Sequence, residues 1–347
     1  MRYLTRKSYD RVWAALVAVG VAVGFGVASR PVYADSVTIS ATYDPSFTTD
    51  EVNAIKTAIS NVQNQVGSPN NITVNIYFSN QGSSVLGESI STYWLTDYYS
   101  FYNALKGNMK SATQITALNS LGAAPGVLTG NPVNGNNMEF TSAEGRNIGL
   151  NTPGYITSTG AFNITTGTYD TWIGLGTPNT SPPNTPESLY YDLQSVAAHE
   201  IDEALGIGGS GSMLNFNDPT TGDVGVTDLY RYSAANTRSY TTSFLASSYF
   251  SIDSGTTKIT DFNQLGDFGS DFGDWKGGAT PQVQDAYGTI DSDATIGTSE
   301  LTALTAIGYS LTAVPEPATT TLLGGGAMLL SGFQLWRRKR FTAKANS

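Results

Sequence analysis

Ala197-Ala198-His199-Glu200-Ile201-Asp202-Glu203-Ala204-Leu205-Gly206 contains the only histidine of the 347-residue chain. Leu189, Leu193, Val196, Ala197, Ile201, Ala204 and Leu205 recur at helical spacing around it. Thr185 can cap such a helix, Pro186 suits its first turn, and Gly206 can stop it, which predicts a helix over residues 185–206. Residues four apart share a helix face, so His199 and Glu203 point the same way. Glu200 lies about a quarter turn to the side, and Asp202 points away from Glu203 by about as much. An imidazole and a carboxylate in this relation can hold one cation, and Glu200 is then within reach of a cation-bound water, as its base. The plainer alternative is a solvated or hydrogen-bonded helix face.

Outward from this helix, periodicities of two and of 3.6 alternate. Val37, Ile39 and Ala41 alternate with Thr38, Ser40 and Thr42, which predicts a strand over 37–43. Thr48 or Thr49 can cap a helix through Val52, Ile55, Ala58, Ile59, Val62 and Val66, and Ile72, Val74, Ile76 and Phe78 alternate again. Residues 92–106 and 111–121 read as helices, 137–141 and 147–150 as strands, and 161–174 as a strand or hairpin. After a flexible stretch at 208–211, short strands are expected at 229–233, 238–242, 249–253 and 257–262, and a final helix at 299–307. The fold class is α+β, with a mixed, twisted sheet over the helix that carries His199.

The two ends differ from this core. Arg2, Arg6, Lys7 and Arg11 precede an apolar run at 12–27 and a Val32-Tyr33-Ala34 exit, the pattern of a signal peptide over residues 1–34. At the other end, Val314-Pro315-Glu316-Pro317 leads into a mostly apolar stretch at 318–336, closed by Arg337-Arg338-Lys339-Arg340. That stretch is long enough for a transmembrane helix, with the basic cluster on the cytoplasmic side. Of 18 Lys+Arg and 28 Asp+Glu, five basic and one acidic residue belong to each end. Residues 35–313 therefore keep 8 basic and 26 acidic residues, a net charge of −18. So acidic a surface repels nucleic acid and suits the binding of cations. The chain has no cysteine, so an exported fold must rest on its core alone.

His199-Glu200 and the following Leu205-Gly206 resemble the His-Glu-x-x-His helix and turn of zinc metalloproteases of the zincin and metzincin type. Glu203 replaces the second histidine of that motif, and a third histidine ten residues past the first would fall on Gly209. The likeness is nearest to exported metalloprotease-like proteins whose helix reads His-Glu-Ile-Asp-Glu. It extends to Asp228-Leu229-Tyr230-Arg231-Tyr232-Ser233 and to Leu304-Thr305-Ala306-Ile307-Gly308-Tyr309. The Pro-Glu-Pro, apolar helix and Arg-rich end resemble the PEP-CTERM sorting signal of Gram-negative bacteria.

The resemblance implies a zincin-like metalloprotease domain over 35–313 and a sorting tail over 314–347. It implies a metal held by His199, Glu203 and Asp228, with Glu200 as catalytic base. Asp218, Asp223 and Glu300 are rival third ligands. A carboxylate in place of an imidazole keeps zinc possible and favours harder divalent ions such as Mn²⁺ or Ca²⁺. Tyr232 could steady a tetrahedral intermediate, and the acidic run at 267–274 reads as an ordinary turn-rich loop. The implied partners are an extracellular protein or peptide substrate, signal peptidase and an exosortase, with delivery to the cell surface or matrix. The rival reading is a catalytically inactive domain of the same architecture, associated with exopolysaccharide or biofilm.

Overall fold

Three parallel strands carry the fold. The computed structural model describes residues 35–82, 85–121, 137–181, 189–216, 223–264 and 270–312. The expected signal peptide (1–34) and sorting tail (314–347) lie outside the described residues. Strand β1 (Val37–Tyr43) turns Val37 and Ile39 inward. Helix α1 (Thr49–Gln63) then returns the chain to β2 (Ile72–Gln81), which lies parallel to β1 with Val37 opposite Ile72. Ile72, Val74, Ile76 and Phe78 form the buried face of β2, as their alternation requires. The sheet continues through β6 (Thr171–Gly176), parallel to β2, and ends on β3 (Gly87–Ser91), antiparallel to β6. Every residue of β6 is buried, as suits a strand covered on both sides.

Helix α5 (Leu193–Leu205) carries His199. It packs against α1 and β3, burying Leu193, Ala197, Ile201, Ala204 and Leu205. Its start differs from the expected one. Asp192 is the cap, accepting from the backbone N–H of Ser195 at 2.7 Å, while Thr185 and Pro186 lie outside the described residues. Its end is the expected one: Gly206 adopts φ 106°, a left-handed turn that glycine takes without strain.

Four other segments depart from expectation, the first being 208–211, a buried 3-10 turn and not a flexible stretch. Residues 92–106 divide into β4 (Tyr93–Asp97) and α2 (Tyr98–Asn108), because the Asp97 carboxylate accepts from Ser100 N–H at 2.9 Å and starts the helix there. After α3 (Ala112–Leu121), strand β5 (Asn137–Thr141) pairs with β4, and helix α4 (Ser142–Asn147) follows at once, capped by Thr141. The expected strand at 147–150 is therefore the end of α4 and a turn at Gly149, with Ile148 buried. Of 161–174, only the last residues are sheet; before them Ile156 bridges to Phe162 and Tyr169 as a loop.

Beyond α5 the strands are short. β7 (Asp223–Gly225) joins β5, and β8 (Arg231–Ala234), β9 (Thr237–Arg238), β10 (Tyr249–Phe250) and β11 (Thr260–Asp261) form an antiparallel sheet. Helix α6 (Thr298–Ala306) closes the domain. The architecture is mixed α+β. No helix among the described residues is long and apolar enough to cross a membrane.

Candidate metal centre

His199 leaves α5 toward the loops that precede α6. Its Nδ1 lies 2.8 Å from the carbonyl oxygen of Val283. A carbonyl only accepts, so Nδ1 carries the hydrogen, and in the neutral ring Nε2 keeps its lone pair as an acceptor. That Nε2 stands 3.7 Å from Glu203 Oε1 and 3.9 Å from Asp274 Oδ2. His199, Glu203 and Asp274 thus offer one imidazole nitrogen and two carboxylate oxygens within 4.8 Å of one another, a group that could hold a metal ion.

Each carboxylate is held in place. Glu203 Oε2 accepts from the Ser89 hydroxyl at 2.5 Å, and its Oε1 accepts from Gly209 N–H at 2.9 Å. Asp274 Oδ1 accepts from the Gln284 side-chain amide at 2.9 Å, and the same amide nitrogen lies 3.3 Å from His199 Nε2. Such outer contacts fix the orientation of would-be ligands. Ligands at about 2.1 Å around a tetrahedral metal stand about 3.4 Å apart. The two spacings from His199 are too long for hydrogen bonds and a little longer than that figure. The group is compatible with a divalent ion, whose charge two carboxylates and a neutral imidazole would balance.

Without a cation the charges conflict. Burial lowers the pKa of His199, but Asp274, Glu200 and Glu203 more than reverse this and push it to about 10. Burial raises the Glu203 carboxyl to about 6, against the opposing pull of His199. Burial also holds the Glu200 and Asp274 carboxyls well above the ordinary range, with Glu203 adding to both. Asp271 is raised by burial too. Four carboxyl groups thus compete for whatever positive charge the site can gain.

Glu200 and His199 both line a cavity of about 450 Å³. Glu200 lies beneath β3, where Gly87 is required by close approach: a Cβ there would overlap Glu200 Oε1 and Val196. Gly209, where a third histidine would fall, has no room for a side chain either. A Cβ there would overlap both the Glu203 and the Asp271 carboxylates.

The structure brings together His199, Glu200 and Glu203, and leaves the expected third ligand elsewhere. Asp228 Oδ1 accepts from the Ser212 hydroxyl at 2.7 Å, and Oδ2 from the N–H groups of Met213 and Gly225 at 2.9 and 3.1 Å. It ties the turn after α5 to the start of β8. Glu300 accepts from Trp275 Nε1, Gln284 N–H and Gly297 N–H, and so supports the backbone around Gln284. Asp218 and the side chain of Asp223 lie outside the described residues. Tyr232 is buried beneath Arg238 and does not line the cavity.

Asp274, and not Asp228, completes the group that could hold a metal ion. It comes from the acidic run 267–274, read from sequence as an ordinary loop; its density of aspartates was the available signal. The loop is held by Arg231, which donates to the carbonyls of Phe272 and Asn263 at 2.6 and 3.1 Å and to Gln264 Oε1 at 2.7 Å. No family model, curated protein or solved structure matches the chain.

Proposed function

We propose that this chain is a metal-dependent peptidase of zincin-like architecture that acts outside the cytoplasm. The observation that carries the reading is the convergence of His199 Nε2, Glu203 and Asp274, with His199 and Glu200 both lining one cavity. His199, Glu203 and Asp274 would hold the ion, zinc or a harder divalent cation. When bound, it supplies positive charge that polarises a scissile carbonyl and acidifies water. Glu200 takes the proton of the attacking water and returns it to the departing amine. Burial holds its carboxyl above the ordinary range, which strengthens it as a base once ionised. Val283 fixes the His199 tautomer, Ser89 and the Gly209 N–H aim Glu203, and Gln284 aims Asp274. Strand β3 ends its sheet beside α5 and offers backbone groups to an extended peptide. Export rests on the basic-apolar-Ala34 start and the Pro-Glu-Pro tail, which imply signal peptidase and exosortase as processing partners.

Elemental analysis of the purified protein and its variants tests the reading. One metal equivalent is expected in the wild type and in Asp228→Asn, and loss of it in His199→Ala and Asp274→Asn. Glu200→Gln should keep the metal while hydrolysis of an unfolded protein substrate falls by about 10²–10⁴. Metal loss in Asp228→Asn but not in Asp274→Asn would overturn the ligand assignment. A metal-loaded wild type with no hydrolysis would leave the inactive surface domain.

A further inference from the structure

The cavity beside His199 and Glu200 has two kinds of wall. Leu86, Val196 and Val283 give it an apolar length, and Tyr191 adds a ring. Asp192 and Asp285 also line it, while no lysine or arginine does. Both carboxylates are buried, at 7 % and 6 % exposure. Each is only half satisfied. Asp192 Oδ2 accepts from Ser195, and Asp285 Oδ2 accepts from Gln282 N–H at 2.9 Å. The Oδ1 atom of each is buried and has no hydrogen-bond donor among the described residues.

A buried acceptor without a donor costs about 1–3 kcal/mol, and more when charged. Folding retains such groups where something else satisfies them, and here the two residues that carry them line one cavity. Burial raises the Asp285 carboxyl to about 6, against the Gln282 N–H, so it is charged at neutral pH. An acidic guest would be repelled by the two carboxylates. A long cationic side chain fits both walls: its methylene stem lies along the apolar length and its head meets the carboxylates.

We infer that this cavity is a specificity pocket for a cationic side chain, so that the peptidase cuts beside lysine or arginine. The inference rests on the peptidase reading given above. The pocket also makes a claim that needs no catalysis: it binds an alkyl cation.

Two measurements on the full protein separate these claims. The first is the turnover of quenched peptides that differ only in the residue flanking the scissile bond, Arg, Lys, Leu or Glu. Arg and Lys peptides are expected to exceed Leu by about tenfold or more in kcat/KM, the scale of one charge contact in a half-buried site. The second is binding of n-butylguanidinium, with n-butanol as neutral control, followed by NMR.

Asp285→Asn should reduce both the Arg-to-Leu ratio and guanidinium binding about tenfold. Thr289→Lys sets a competing cation at an exposed position of the lining, where folding is not at stake, and should do the same. Turnover without preference, or with Leu or Glu preferred, overturns the pocket. If no peptide is cut, the peptidase reading fails and binding decides. Guanidinium binding that falls in both variants upholds the pocket. Binding that is absent, or equal in wild type and variants, sinks it.

Discussion

The two regions that meet at the candidate metal centre are built on different principles. The framework, β1 to β6 with α1 and α5, is ordered by ladders and by periodic apolar residues such as Ile55, Val62, Val74, Ile76, Ile173 and Ile201, all buried. It supplies His199, Glu200 and Glu203 on one helix. The region after β7 has strands of two to four residues. Its rigidity comes from the aromatic cluster of Tyr230, Phe250, Phe262 and Trp275 and from the buried guanidinium of Arg231, set 4.3 Å above the Phe262 ring. It supplies Asp271, Asp274, Val283, Gln284 and Asp285. Where no ladder fixes the backbone, buried polar groups must, because every buried carbonyl needs a donor.

The difference is tested most strongly at Arg231. Arg231→Leu removes three hydrogen bonds to buried acceptors and should cost about 3–5 kcal/mol. It should also abolish metal uptake at temperatures where the variant is still folded, because Phe272 and Asn263 flank the loop that carries Asp274. Ile76→Ala removes apolar bulk from the framework and should cost about 2–5 kcal/mol. Metal uptake below its melting temperature should be that of the wild type. Denaturant titration paired with metal stoichiometry reads both. Equal metal loss in the two variants would erase the distinction between the regions.

The same division decides what was legible in the sequence. β1, α1, β2 and the C-terminal turn of α5 repeat apolar residues with periods of two or 3.6, and one buried face is enough to specify them. The site half on α5 was readable because His199, Glu200 and Glu203 are tied by helix geometry alone. Asp274 was not, since it reaches His199 through loop packing, and an aspartate in a loop carries no sign of its destination. Asp228 and Asp274 look alike in sequence; only the donors around Asp228 mark it as a clip between turns. Local hydrogen bonds hid the starts of α2 and α5 too. Asp97 and Asp192 act as caps where Thr92 and Thr185 suggested other boundaries.

Glu144 cuts across the comparison, because it is an unsatisfied group inside the framework. Both carboxylate oxygens are buried beneath Gly206 with no well-formed hydrogen bond among the described residues, and only the Thr141 backbone N–H opposes the effect of burial. Burial holds its pKa well above the ordinary 4.5. A carboxyl raised in the folded state binds its proton more tightly there than in the unfolded chain. Its contribution to stability is fully present below about pH 4.5 and is lost as pH rises through the folded value. Glu144→Met should therefore stabilise the protein by about 1–3 kcal/mol at pH 8, with the gain shrinking toward pH 4. Taking the difference from wild type at each pH cancels the titration of the metal centre. A gain independent of pH would mean that Glu144 is paired in solution.

The mildest test lies at the far end of the framework. Thr48 and Glu51 cap α1 reciprocally, with Thr48 N–H donating to Glu51 Oε2 at 2.7 Å and Glu51 N–H to Thr48 Oγ1 at 3.3 Å. Thr48→Ala should cost about 1 kcal/mol, and Thr48→Asp should restore most of it. Hydrogen exchange should place the loosening in the first turn of α1. Because α1 packs on α5, this small change also asks how independent the framework is of the site. A first turn that frays without moving α5 leaves metal affinity unchanged. A drop in affinity with Thr48→Ala would mean that the ligand helix takes its position from its neighbour's end as well as from its own buried face.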